Sequence, residues 1–283
     1  MKLDELEIHS SVSAFLRAAP KVGPKIATTD IETFPMLSYH WRMWKQNIST
    51  VMNLEDVTLM SYAFKWLEQP DAYYQDNRGA SRRKGGMRDD TAMLRNLHRI
   101  LSTTDMIVAQ NGKRFDLPQI KGRMAIMGLA PLAPVKVIDT MVHNKNEFAF
   151  SSNSLAHLSP KFTDEAKTEH QQFPGFHLWL ECLRDNPAAW GECQEYNLTD
   201  VTSTEAMYLK LRGWYQGHHN VGPYYENPGH PICSVCGGKV HAKGTRKTQV
   251  GIYTRTKCVD CGHWDRGRVL VANRAERSHI LMS

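Results

Sequence analysis

No stretch of this 283-residue chain stays apolar for the roughly 20 positions that a membrane-crossing helix needs. Its opening residues, MKLDELEIHS, place acids where a secretory leader would be basic and then apolar, so a cytoplasmic protein with no membrane partner is expected. No internal repeat is found. Cysteine is scarce: six residues, of which Cys182 and Cys193 stand apart in an aromatic-rich helical stretch and read as buried thiols. An excess of acid is also missing. The net charge is +6, and residues 228–268 alone carry eight Lys/Arg against two Asp/Glu. A basic surface of that kind suits a polyanionic partner such as nucleic acid.

What is present is ordinary globular composition, 41% hydrophobic and 23% charged, with seven Trp, ten Tyr and nine Phe for a core. Residues 1–22 read as an N-terminal helix ending at Pro20. KIATTDIET, LSYHWRMW (37–44) and TLMSYAFKWL (58–67) read as three successive strands, the second half-buried by its alternation. A glycine-punctuated basic loop follows at 76–90, holding Arg78, Arg82, Arg83, Lys84 and Arg88. Next come a helix around 93–101, a buried strand at 105–110, a helix opening near Asp116 and a strand at 135–140. The chain beyond Ser152 is mainly helical, with a long helix from about Pro187 to Leu211. Such an order predicts an α/β fold: a mixed five-stranded sheet flanked by helices. The Gly/Pro/Asn-rich segment 218–231 reads as a linker to a small module over 232–270, and 271–283 as a tail.

Four carboxylates stand out. Asp30 and Glu32 alternate on one strand and so share a face, at a cost in mutual repulsion. Asp116 follows a buried strand in AQNGKRFD. Asp200 lies one helical turn after Tyr196 in EYNLTD, so both side chains can reach one place. Asp139 in VIDT reads as a helix or turn cap. His157 and His170 read as structural or surface residues.

The motifs Asp30-Ile31-Glu32, Asn111 to Asp116 (N-x-x-x-F-D) and Tyr196 to Asp200 (Y-x-x-x-D) resemble, in this order, those of the DEDD or DnaQ-like 3′–5′ exonucleases. The position five before Asp200 is Glu195 rather than His, which matches the tyrosine branch. The resemblance spans residues 25 to about 212 and is nearest to stand-alone exonucleases of the phage type. It implies an RNase H-like domain over 23–217 and hydrolysis of DNA, or of RNA, from the 3′ end, in replication, repair or nucleic-acid processing. It also implies two Mg²⁺ or Mn²⁺ ions. Asp30 would bridge them, Glu32 and Asp200 would hold one and Asp116 the other, and Tyr196 would orient water. Thr33, Asn111 and Phe115 would meet the terminal nucleotide. Hard cations of this type prefer carboxylate oxygens, and a pair of them brings enough positive charge to offset four acids. An endonuclease on the same fold and a non-catalytic nucleic-acid scaffold are the competing functions.

Cys233-x2-Cys236 and Cys258-x2-Cys261 have the spacing of two zinc knuckles joined by a hairpin, a zinc ribbon whose four thiolates leave no open position on the ion. The zinc is therefore expected to be structural. Lys243, Arg246 and Lys247, with Tyr253, suit a single-stranded nucleic acid, with protein docking as the competing role, and Arg82 and Arg83 are candidate phosphate contacts unless the loop is simply a flexible connection.

Overall fold

The computed structural model describes residues 1–82, 86–163, 172–249, 251–273, 275 and 278. Arg83 and Lys84 of the basic loop, His170 and most of the 271–283 tail lie outside the described residues.

The first 22 residues do not form a single helix. They make a 3-10 turn at Leu3–Glu5, a strand β1 (Glu7–His9) and a short helix α1 (Val12–Arg17). Ser11 separates the last two by capping α1, its hydroxyl accepting from the Ala14 amide at 3.2 Å. α1 is held by packing rather than propensity: Phe15 stacks on Trp66 with ring centroids 4.8 Å apart.

Strand β2 (Ile26–Phe34) carries the Asp30/Glu32 pair. The expected strand 37–44 is almost absent. Only Leu37–Ser38 pair, as β3, with β4 (Asn53–Glu55), and the residues between them project outward. The alternation there is real, but its apolar positions, Leu37, Tyr39, Trp41 and Met43, are exposed. β5 (Thr58–Trp66) is buried at every position, and β6 (Asp71–Asp76), which was not expected, completes an antiparallel meander with β2 and β5. Then come α2 (Thr91–Thr103), β7 (Met106–Ala109), α3 (Asp116–Ile126), β8 (Lys136–Asp139), α4 (Thr140–Glu147), α5 (Leu155–Phe162), α6 (His177–Leu183) and α7 (Pro187–Leu211). The main sheet runs β1-β6-β5-β2-β7-β8, with β2, β7 and β8 parallel. The mixed α/β class is as expected; β1 pairs alongside β6 and makes the sheet six-stranded instead of five.

The sheet is apolar on both sides because helices cover both. Tyr62, Phe64 and Trp66 pack with Phe15, Leu97 and Ile120 from α1, α2 and α3. The opposite side meets α5 and α7 through Met106, Val108, Leu158 and Met207. A bulge where Glu32↔Ser61 is followed by Thr33↔Leu59 breaks the alternation at the end of β2. On β5, Ser61, Ala63 and Lys65 face α7. The buried Lys65 ammonium pairs with Glu205 at 2.7 Å, and Glu205 also accepts the Glu68 amide. A buried pair this well satisfied fixes the register of α7 on the sheet, since a slip would strand two charges.

The C-terminal unit is a three-stranded antiparallel sheet of β9 (Val240–Thr248), β10 (Gly251–Cys258) and β11 (Trp264–Leu270). It is docked on the end of α7. A Cβ on Gly213 would come within 1.9 Å of the Cys261 carbonyl oxygen, so only glycine permits the approach, and His263 Nδ1 lies 2.9 Å from the Gly213 carbonyl. Within segment 218–231, Val221 is buried and its amide donates to Ser234 O at 2.8 Å.

Candidate active site

The sheet brings the four acidic residues toward one place from three elements. β2 supplies Asp30 and Glu32, the first turn of α3 supplies Asp116, and α7 supplies Asp200 with Tyr196. Asp30 Oδ2 accepts from Asn197 Nδ2 at 2.6 Å, while Asn197 Oδ1 accepts from Ser61 Oγ at 3.3 Å. Glu32 Oε2 accepts from the Trp179 indole at 3.2 Å. Trp179 in turn meets Tyr196 edge to face, with centroids 6.5 Å apart.

The electrostatics show how close the groups are. Burial, with the nearby Cys193 and Asp200 and, more weakly, Asp116, pushes the Glu32 carboxyl well above the usual range, while the Trp179 bond pulls it back. Asp116 is raised to about 7, first by burial and then by Asp139, against the lowering effect of backbone amides including that of Ile31. Tyr196 is raised by burial and then by Asp200, Glu32 and Asp30, so its phenol keeps its proton across the neutral range. Asp116 Oδ1 is buried and has no hydrogen-bond partner among the described residues. An orphaned oxygen in an acidic cluster is what a hard divalent cation would satisfy. Yet the cluster is open: among the described residues, no three of these carboxylates offer oxygens all within 4.8 Å of one another.

The N-x-x-x-F-D loop is set by Asp139. Its carboxylate accepts from the Asn111 amide at 3.2 Å and the Lys113 amide at 3.0 Å, and it caps α4 through the Val142 amide at 3.1 Å. Asn111 adopts a left-handed backbone, φ 65°, a conformation that asparagine tolerates better than most residues. Its carbonyl accepts from Phe115, whose exposed ring stands just before Asp116. Thr33 is half-buried beside the bulge.

Arg82 is exposed on its loop. Arg78 is tied to Asp76, and Arg88 to Glu55 and to the Pro35 and Asp56 carbonyls. Lys243, Arg246 and Lys247 are exposed along β9, while Arg266 already covers the Tyr253 ring at 4.5 Å. Asn197 and Trp179 were not singled out in the sequence. Asn197 stands three residues before Asp200, on the same helix face, and that spacing was the available signal. Nothing local marks Trp179.

Cys233, Cys236, Cys258 and Cys261 form a much tighter group, all four sulfurs within 4.8 Å of one another. Two of the separations are 3.6 Å (Cys233–Cys261) and 3.5 Å (Cys236–Cys258). A tetrahedron with zinc–sulfur bonds of about 2.3 Å has edges of roughly 3.8 Å, so the set can hold a zinc ion with little adjustment. Neighbouring Cys233 and Cys261 hold Cys236 strongly toward the thiolate. The first knuckle closes through the Gly237 amide to Cys233 O at 3.0 Å, with Gly237 at φ 75°.

No curated protein matches this chain. Among solved structures, the family B DNA polymerase from the hyperthermophilic archaeon Pyrobaculum calidifontis is similar over 68% of this chain and 25% of its own, with 18% identity and a TM-score of 0.48. The chain thus spans about a quarter of the length of that polymerase. The profile of the RNase_H superfamily (RNase_H_2) matches residues 55–212, which contain Asp116, Tyr196 and Asp200 and begin after Asp30 and Glu32. That span is more than half of the chain and includes β5, at the centre of the mixed sheet, together with α7: the chain belongs to the RNase_H superfamily.

Proposed function

We propose that this protein is a divalent-cation-dependent 3′–5′ exonuclease of the tyrosine DEDD type, releasing nucleoside monophosphates from DNA or RNA ends. Superfamily membership supports a nuclease-type function. The observation that carries the finer reading is the mutual influence of Glu32, Asp116, Asp200 and Tyr196, with Asp30 beside the same phenol. Cations that neutralise these acids give so costly an assembly a physical reason.

Asp30, Glu32, Asp116 and Asp200 would hold two Mg²⁺ or Mn²⁺ ions, which supply an activated water and charge neutralisation at the scissile phosphate. The chain's own groups do the positioning. Asn197 fixes the Asp30 carboxylate through its side-chain amide, and Trp179 fixes one oxygen of Glu32. Tyr196, held protonated and hydrogen-bonded to Asp200, is placed to orient the attacking water and cannot act as its base at neutral pH. Asn111 and Phe115, at the entrance to α3, are placed to contact the terminal nucleotide.

The domain division follows: a nuclease domain over 23–217 and a ribbon over 232–270, its Zn²⁺ held by the four cysteines and its exposed Lys243, Arg246 and Lys247 turned to a phosphate backbone. A replication or repair assembly is the proposed setting. Among the described residues no helix is long and apolar enough to cross a membrane.

Digestion of strands labelled at the 3′ end or internally, with Mn²⁺, tests the reading. Immediate release of the 3′ label by the wild-type protein, and at least a thousand-fold slower release by Asp30→Asn, is expected. Mid-chain fragments would replace it with an endonuclease, and tight binding without cleavage by either protein with a scaffold.

A further inference from the structure

Among the described residues, exposed large apolar side chains concentrate in the excursion between β3 and β4. Trp41 is 95% exposed, Met43 84% and Trp44 80%, and Tyr39 and Val51 are likewise open to solvent. Large side chains so exposed gain nothing from the fold, and clustered on one projection they mark a binding surface.

Its ends are nonetheless held firmly. The Tyr39 amide donates to Met52 O at 2.9 Å. Arg88, reaching from the loop before α2, donates to Pro35 O at 2.7 Å and to Asp56 O at 3.1 Å, and pairs with Glu55. One guanidinium therefore ties both ends of the excursion together, 5.7 Å from the ring of Phe34 at the end of β2. Met36 follows Glu32 by only four positions, so the projection rises directly from the strand that carries the acidic pair.

The composition points to one kind of occupant. Between Thr33 and Leu54 there is no Asp or Glu, while Arg42, Lys45 and His40 alternate with Tyr39, Trp41 and Trp44. Exposed ring faces interleaved with cations match the alternation of bases and phosphates along an unpaired strand. We propose that residues 36–54 form a stacking platform for a single-stranded nucleic acid, holding the strand whose end enters the acidic cluster. Trp41 and Trp44 stack on bases, and Arg42 and Lys45 meet phosphates. This rests on the nuclease reading for its direction, but its binding chemistry needs no catalysis.

Anisotropy of a 5′-labelled oligothymidylate, with a matched oligouridylate arm, measured in EDTA so that no cleavage intervenes, tests the platform. The Trp41→Ala/Trp44→Ala double variant is expected to bind roughly ten-fold or more weakly. The Arg42→Gln/Lys45→Gln variant is expected to show a shallower salt dependence. Because these side chains are exposed, circular dichroism and the melting temperature should match the wild type. Equal affinity of the double variant and the wild type would overturn the platform. So would a wild-type dimer that the tryptophan substitutions dissociate, or wild-type adsorption to phosphatidylcholine vesicles that they abolish. Failure of the nuclease reading has a separate signature: wild-type protein with Mn²⁺ that cleaves neither strands nor the p-nitrophenyl ester of thymidine 5′-phosphate, while still binding oligonucleotide in EDTA.

Discussion

Two clusters of ligand-type side chains, four cysteines and four carboxylates, are built in opposite ways. The four cysteines come from one stretch of 29 residues, and their sulfurs already stand near the edge lengths of a zinc tetrahedron. The four carboxylates come from positions 30 to 200, are carried by a strand and two helices, and remain looser than one coordination sphere. The small unit has little core of its own, and an ion held by its four cysteines would serve as that core. The large domain does the reverse: its packing is complete without the acids, and it uses that stability to hold them against their repulsion.

The largest expected effect separates the two directly. Cys233→Ser should remove bound zinc, measured by atomic emission, and make residues 232–270 susceptible to limited proteolysis. Structural zinc contributes on the order of 10 kcal/mol to modules of this kind. The main domain should keep its melting transition, because its clusters of buried side chains share no residue with the cysteine group. Joint unfolding of both parts would show that the Gly213 contact couples them.

A smaller effect has the opposite origin. In the metal-free protein a carboxyl raised in the folded state binds its proton more tightly there than in the unfolded chain. Stability is then full below the unfolded value near 4 and falls as pH rises toward the folded value, for Asp116 about 7. Glu32, raised in the same direction, adds to the slope. Thermal unfolding in EDTA should therefore show stability decreasing between about pH 4 and 7, by at most about 1.4 kcal/mol per pH unit for each carboxyl. Asp116→Asn should flatten the slope, and Mn²⁺ should reverse it. Stability that rises through this window would mean that the acids are not buried together.

The same contrast governs what could be read in advance. The knuckles are legible because a Cys-x2-Cys pair is a local device, and the Tyr196/Asp200 spacing because a helix has a fixed period. Strand 37–44 was misread because alternation reports which residues share a face and not whether anything covers that face. β6 was missed because DAYYQD, seen alone, resembles a polar connection; its pairing with β5 supplies the reason for a strand. Asn197 was within reach of the i, i+3 rule. Trp179 was not, since only the docking of α6 against α7 brings its indole to Glu32, across 147 positions of sequence.

That last contact gives the smallest test and the sharpest. Trp179→Phe keeps an aromatic ring and removes the N–H, so Glu32 loses a hydrogen bond that lowers its pKa. Its carboxyl should then require a higher pH to ionise. Strand cleavage should slow by roughly ten-fold at neutral pH, the scale of losing a group that orients a metal ligand, with the acid limb of the rate profile moved upward and the deficit shrinking as pH rises. A merely structural tryptophan would lower the rate equally at every pH. Zinc content should not change, because the cysteine cluster orders itself within its own few turns of chain, whereas the acid cluster depends on side chains delivered from the far end of the fold.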